Sequence, residues 1–334
     1  MTDTAPTPRP DGQRPADDRE QAAPDVLVPW AERELRSGAW PSGTRVHVWD
    51  GNGRPELSAE ELARIGFWVL PYGKPDATRL LPELPGLRAV QSLSAGVEKL
   101  LPALPPGVRL HNGRGLHDAS TAEHALGLVL AAQRDLPQWV QDQWDPEAGQ
   151  GDWAPHYLPG LADHRVALVG YGAIGAALER RLLACEAEVV RVASRARPEQ
   201  QVHGVHELPD LLPHVDIVVL VLPENASTLG LFGAEQLAAL PDGALVVNVG
   251  RGRTLDTEAL LAEVSTGRLR AALDVTDPEP LPARHPLRSA PGVLLTPHVG
   301  GGAASFRPRA EQLVVEQVRR FAAGEELLNA FPAR

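Results

Sequence analysis

Val166-Ala167-Leu168-Val169-Gly170-Tyr171-Gly172-Ala173-Ile174-Gly175 is a short apolar run that breaks into the spacing Gly-x-Gly-x-x-Gly. It continues into Ala176, Ala177, Leu178, Leu182 and Leu183 at helical intervals. In a strand that turns into a helix, the first glycine permits the tight turn and the second lets backbone approach a pyrophosphate. The third lets helix and strand pack closely, with the helix N-terminus facing the anion. The stretch therefore predicts the opening unit of a dinucleotide-binding domain, with Gly170, Gly172, Ala173 and Ile174 against the cofactor. By itself the glycine spacing is weak evidence, because a plain strand-helix turn can carry it.

Working outward, six apolar runs follow one another with helical patterns between them: 166–169, 189–192, 217–222, 244–249, 271–275 and 293–295. Six strands with intervening helices match a complete doubly wound parallel sheet. In such a sheet ligands bind outside the carboxyl ends of the strands. Arg251 follows the fourth run, Glu279 the fifth and His298 the sixth, so all three are expected to converge on the crevice that the glycine loop opens. Glu279 and His298, beyond neighbouring strands, are expected to form a carboxylate–imidazolium pair in which the carboxylate favours the protonated ring. Such a ring delivers a proton to an oxygen that gains negative charge. Arg251 can grip a carboxylate with two parallel donors and polarise an adjacent carbonyl. Together they suit hydride addition to a 2-oxo acid. The competing reading makes each a surface charge, and it would win for a histidine chosen blindly among the 11.

About 20 residues past the glycines, a cofactor without a 2'-phosphate normally meets an Asp or Glu at the end of the second strand. Val192-Ala193-Ser194-Arg195-Ala196-Arg197 stands there instead. No carboxylate is available to a ribose hydroxyl, whereas Ser194, Arg195 and Arg197 suit a phosphate. NADP is favoured, with NAD as the alternative if the arginines only face solvent.

Upstream, runs at 26–28, 45–49, 66–70, 87–93 and 108–111 alternate with helical patterns and predict a smaller α/β lobe. Ser120 and Glu123 have capping-box spacing and predict the start of a long buried helix that Pro137 closes. Residues 138–160 carry three tryptophans with Gly and Pro and read as an irregular connector. Ser305 is expected to open a last helix, with Leu313, Val314, Val318 and Phe321 on one face and Gly324 at its end. The division expected is 25–118 plus 304–334 for one lobe and 119–303 for the dinucleotide lobe. Residues 1–24 are rich in proline and charge with almost no large apolar side chain, which predicts a disordered tail.

Composition excludes several classes. A formal net charge of -11 argues against nucleic acid, whose binding needs clustered Lys and Arg. No apolar run approaches the roughly 20 residues of a membrane span. A single cysteine, Cys185, rules out an internal disulfide framework and reads as ordinary helix packing. With no secretory-type leader at the start, a cytoplasmic protein is expected. His203 and His206 lack a neighbouring ligand set with zinc-like spacing, so no metal is expected.

Taken in order, Val166 to Gly175, Asn248-Val249-Gly250-Arg251-Gly252, Leu273-Asp274-Val275-Thr276-Asp277-Pro278-Glu279-Pro280 and Thr296-Pro297-His298-Val299-Gly300-Gly301 resemble the D-isomer-specific 2-hydroxyacid dehydrogenases. The resemblance covers about residues 85 to 325. It implies a Rossmann domain beside a flavodoxin-like substrate lobe and a small 2-oxo or 2-hydroxy acid substrate, of glyoxylate or hydroxypyruvate class. It further implies that Arg251 binds the substrate carboxylate and carbonyl, that His298 is the acid/base and that Glu279 supports it. Ser94, Ala95 and Gly96 resemble the loop whose backbone N–H groups hold the substrate carboxylate. Leu222, Pro223, Thr228, Val249 and Asp274 match positions around the cofactor, Asp274 near the nicotinamide. The helix from about Ser120 and the tryptophan-rich connector match the family's dimer-forming region, which implies a homodimer; ordinary packing is the alternative for Trp144 and Trp153. Gly250 stands where alanine is commoner, and Thr276-Asp277-Pro278 replaces a more usual aromatic-acidic stretch. Related chains offer two other readings: phosphite oxidation, and a dinucleotide sensor like the C-terminal binding protein corepressors. Formate oxidation is disfavoured, since its enzymes carry Gln where Glu279 stands.

Overall fold

The computed structural model describes residues 25–36, 40–144 and 157–331. The expected tail, residues 1–24, and Trp153 lie outside that set. Five short strands, β1 (Asp25–Val28), β2 (Arg45–Val48), β3 (Ile65–Val69), β4 (Ala89–Gln91) and β5 (Arg109–His111), form the first sheet. They lie in the order β2-β1-β3-β4-β5, all parallel, which is the flavodoxin-like order expected of the smaller lobe. The sixth strand of this sheet comes from the far end of the chain, where β13 (Ala330–Phe331) pairs antiparallel with β5.

The second sheet contains β6 (Arg165–Val169), β7 (Glu188–Ala193), β8 (Val202–Gly204), β9 (Ile217–Leu220), β10 (Leu245–Asn248), β11 (Arg270–Leu273) and β12 (Val293–Leu295). Their spatial order is β8-β7-β6-β9-β10-β11-β12, again all parallel. This is the doubly wound order with one strand added at the far edge. Seven strands therefore stand where the apolar runs predict six. The one they miss, β8, is a three-residue edge strand, Val-His-Gly, and too short to register as an apolar run.

Strand side chains alternate between faces, and helices cover both faces of this sheet. Val166 and Leu168 pack with Val129, Leu178 and Leu182 on one side, while Ala167 and Val169 pack with Val190 and Val218 on the other. With both faces buried, the strands read as continuous apolar runs rather than alternating ones. Leu178 and Leu182 are fully buried, each contributing about 1.5–3 kcal/mol.

Two boundaries differ from expectation. The helix Asp118–Gln133 begins before Ser120, with His117 at its N-cap, and Ser120 Oγ donates back to His117 O at 3.1 Å instead of capping. Asp135, with φ +50, then makes the turn, and Pro137 sits second in a new helix, Leu136–Trp144. A missing N–H costs nothing at that position, so the proline opens a helix rather than closing one.

The last helix, Phe306–Ala322, returns to the first sheet. Ala310, Val314, Val318 and Phe321 pack against Val26, Val28, Phe67 and Val69. The chain thus crosses between the lobes twice, near His117 and again between Gly301 and Phe306. No helix among the described residues is long and apolar enough to cross a membrane.

Candidate active site

The glycine loop is set by close backbone contacts. Gly170 has φ +108, and a Cβ there would lie 2.5 Å from Val221 O, so only glycine fits the turn. A Cβ on Gly175 would lie 2.9 Å from Gly170 O, which is the tight strand-helix approach. Gly172 meets no protein atom within 4 Å, leaving its open side to a ligand. It is also the N-cap of the helix Ala173–Ala184 and offers no side-chain cap, so the first N–H groups at Ala173 and Ile174 face outward. One neighbour that sequence reading passed over is Glu179, a buried helical carboxylate. It accepts from Tyr171 Oη at 2.5 Å and from Arg191 Nε at 2.5 Å. Burial first, and then the Glu179 carboxylate, push the Tyr171 phenol up from its ordinary range.

Because Glu179 takes up Arg191, the cations past the end of β7 are Arg195 and Arg197. Ser194 and Arg195 are exposed. Arg197 folds back to the glycine loop, where Nη2 donates to Tyr171 O at 3.1 Å. Its Nε is buried with no partner among the described residues. Neither arginine belongs to an ion pair among those residues. A guanidinium with no carboxylate partner and an orphaned donor, held beside a phosphate-type loop, fits a phosphorylated ribose.

Just past β9 and β10, Leu222 and Val249 are buried. Thr228 Oγ1 donates to Pro223 O at 2.6 Å and accepts from Asn225 N at 3.0 Å, which closes the loop between them. At Gly250 an added Cβ would lie 2.6 Å from both Leu222 N and Leu222 O. Backbone cannot yield there as a side chain would, so glycine replaces the commoner alanine because the two loops touch.

Arg251 stands on a pinned turn. The fully buried Asn248 donates from Nδ2 to Arg251 O at 3.0 Å and accepts Gly250 N–H at 3.0 Å, while Thr254 Oγ1 donates to Arg251 O at 2.7 Å. The guanidinium donates from Nη1 to Gly250 O at 2.7 Å and has no carboxylate partner among the described residues. It lies directly against the first-lobe loop, because a Cβ on Gly96 would overlap Arg251 Nη2. In that loop the carbonyls turn inward: Gly113 N donates to Ser94 O at 2.8 Å and Asn112 Nδ2 to Ala95 O at 2.9 Å. The N–H groups of Ala95 and Gly96 have no partner among the described residues. Unpartnered backbone donors and a guanidinium with no carboxylate partner therefore lie side by side where the two lobes meet.

His298 completes the crevice. Its Nδ1 is 2.6 Å from Glu279 Oε1, and both side chains are roughly half exposed, at 45% and 43%. Nε2 has no partner among the described residues. The residue has φ +55, a left-handed backbone that β-carbon residues rarely adopt. Its N–H donates to Asp274 O at 2.8 Å, and the buried Asp274 carboxylate accepts Val299 N–H and Gly300 N–H at 2.9 Å each. Thr296 Oγ1 donates to the same carboxylate at 2.6 Å, with His124 Nε2 at 3.2 Å. Asp274 is thus placed beside the crevice, with its oxygens engaged in shaping the histidine loop. Asn248 and Thr296 open two of the motifs quoted above but carry no sign of this role, and Thr254 and His124 hold the site without signalling in the sequence, since single polar residues near strand ends have no periodicity. No group of three or more potential metal ligands occurs among the described residues, and His203 is paired with Glu207.

Residues 126–300 match the family model described as D-isomer specific 2-hydroxyacid dehydrogenase, NAD binding domain. The chain is 30% identical to a D-isomer specific 2-hydroxyacid dehydrogenase from Xanthobacter autotrophicus Py2, solved with NADPH and MES, with TM-score 0.76 over 92% of this chain and 98% of that one. An NADPH-dependent glyoxylate/hydroxypyruvate reductase from Sinorhizobium meliloti, solved with NADP and malonate, is 26% identical at TM-score 0.72, covering 93% and 97%. D-3-phosphoglycerate dehydrogenase of Mycobacterium tuberculosis is 34% identical over 92% of this chain, which spans 58% of that protein's length.

Proposed function

The chain belongs to the D-isomer-specific 2-hydroxyacid dehydrogenase family, and from that premise we propose that it works as an NADPH-preferring reductase of small 2-oxo acids. It is an NAD(P)-dependent oxidoreductase of 2-oxo and 2-hydroxy acids; the glyoxylate or hydroxypyruvate class is the narrower assignment. The observation that carries it is the position of the Arg251 guanidinium against Gly96, with unpartnered N–H groups in the Gly96 loop and His298 past the end of the same sheet two strands away. The substrate carboxylate is held by Ala95 and Gly96 N–H and by Arg251, which also draws on the C2 carbonyl oxygen. When bound, the reduced nicotinamide supplies hydride to C2. His298 Nε2 donates the proton to the oxygen, and Glu279 stabilises the charged ring through Nδ1. Run in reverse, His298 takes the proton from the 2-hydroxyl. On this reading residues 25–118 with 304–334 serve the substrate and 119–303 the dinucleotide.

The assay is NADPH and NADH oxidation with glyoxylate, hydroxypyruvate, pyruvate and phenylpyruvate. Turnover with NADPH preferred is the expected result; tight dinucleotide binding with no oxidation of any of them would instead identify a sensor. Arg197→Ala should raise KM for NADPH by about 10–100-fold, the worth of one charge-assisted hydrogen bond, while leaving KM for NADH unchanged. Equal effects on both cofactors would reject the phosphate assignment.

The assembly we propose is a homodimer, in the cytoplasm. Leu136, Val140 and Trp144 form a stripe at helical spacing on Leu136–Trp144 and are 49%, 54% and 80% exposed in the single chain. Such a stripe seeks a partner surface. Trp144 is accordingly not packed within its own chain. Sedimentation equilibrium should return twice the chain mass, and a monomer would remove this part of the reading.

A further inference from the structure

His117 belongs to neither strand end nor the glycine loop, yet it touches both halves of the site. It sits at the first crossing between the lobes, at the N-cap of Asp118–Gln133, where its carbonyl accepts Thr121 N–H at 2.9 Å. Its ring is buried, with Nε2 3.0 Å from Leu93 O and Nδ1 3.3 Å from Gly301 O. Leu93 immediately precedes the Ser94–Gly96 loop, and Gly301 lies three residues past His298. Both neighbours are acceptors, so the neutral ring donates to one of them at a time, and to both only as the imidazolium.

The contacts around it fix this placement. A Cβ on Gly301 would come within 2.9 Å of His117 Nδ1, so the loop can approach the ring only as glycine. Phe306, at the second crossing, stacks on the His117 ring with centroids 5.0 Å apart and an interplanar angle of 9°. Tyr72 closes the cluster, 5.6 Å from His117 and 4.4 Å from Phe306. Two turns along the same helix, His124 Nε2 lies 2.9 Å from Thr296 Oγ1, so the helix start backs the histidine loop at two points.

We infer that His117 is a positioning residue, tying the Ser94–Gly96 loop of one lobe to the His298 loop of the other and thereby setting the distance between substrate carboxylate and proton donor. This rests on the functional reading of those two loops given above. A reacting group displaced by about 1 Å can lose 10²-fold in rate, so a strut spanning both loops has leverage on the chemistry without touching substrate.

His117→Phe keeps the aromatic stack and removes the ring N–H; His117→Gln keeps an N–H donor. Three quantities are read on each: the Kd of NADP⁺, the Kd of oxamate with NADP⁺ bound, and kcat/KM for glyoxylate. The H117F variant should leave the NADP⁺ Kd within about twofold, weaken oxamate about tenfold and lower kcat/KM about 10–100-fold, the worth of one to two hydrogen bonds. H117Q should fall between H117F and the parent. Should H117F fail to fold, H117Q alone carries the comparison, by a shift in oxamate affinity with unchanged NADP⁺ affinity. Parental oxamate binding and turnover in the variants, or losses of NADP⁺ and oxamate affinity in equal proportion, would overturn the proposal. A parent enzyme that neither binds oxamate nor reduces any 2-oxo acid would overturn the functional reading itself, and this inference with it.

Discussion

His298→Gln should lower kcat for glyoxylate reduction by about 10²–10⁴-fold, the usual contribution of a positioned general acid. The Kd for NADPH should be unchanged. Glutamine retains an amide donor near the ring position but carries no proton that it can give up to an oxygen and regain. The loss should be large because the parent ring is so firmly aimed. Glu279 fixes Nδ1 at 2.6 Å, which leaves Nε2 as the transferring atom. The left-handed backbone at φ +55 is maintained by His298 N–H on Asp274 O and by Asp274 gripping the next two N–H groups. A residue held in that region costs on the order of 1–3 kcal/mol, which the surrounding hydrogen bonds must offset. Single-turnover reduction under saturating NADPH separates the chemical step from product release, and ordinary turnover in the variant would end the acid/base assignment. Glu279→Gln should give a smaller loss in the same assay, because the ring stays in place while its charged form loses a compensating charge.

The second large effect is expected at Arg251. Arg251→Ala should reduce kcat/KM for glyoxylate by about 10²–10³-fold or more, in the range found when one preorganised donor to a developing oxyanion is removed. Arg251→Lys should recover only part of this, since an ammonium keeps the charge but not the two parallel donors. Without the guanidinium the turn loses one bond, to Gly250 O, and keeps three: Asn248 and Thr254 hold the Arg251 carbonyl, and Asn248 holds Gly250 N–H. Both variants should therefore melt with the parent and bind NADPH as it does. A change confined to NADPH affinity would move Arg251 from the substrate to the cofactor.

Much of this arrangement is legible before any coordinates. A doubly wound sheet buries both faces of each strand, so its strands appear as apolar runs, and strand ends are where ligands bind. That is why Arg251, Glu279 and His298 can be picked out by their position after runs of Ala, Leu and Val. What escapes is short or solitary. Three-residue β8 is shielded only at a sheet edge, and two-residue β13 joins a sheet begun some 300 residues earlier, so neither leaves a pattern. Ser120 has the right spacing to cap a helix, yet local spacing is overridden where His117 starts the turn sooner. Gly250 departs from a common alanine for a reason visible only when Leu222 is beside it.

By itself the sequence determined the sheet that binds a dinucleotide, the missing carboxylate that argues for a phosphorylated ribose, and the residue types able to reduce a carbonyl. These are properties of local periodicity and of chemical groups at fixed spacing, which need no knowledge of what lies across the crevice. Tertiary structure alone decided that Arg251 meets Gly96, that Asp274 shapes the loop of His298, and that His117 joins one lobe's loop to the other's. The first and last of these link residues of different lobes, whose meeting depends on the two crossings, and the second joins the ends of two paired strands; no local pattern encodes such a distance.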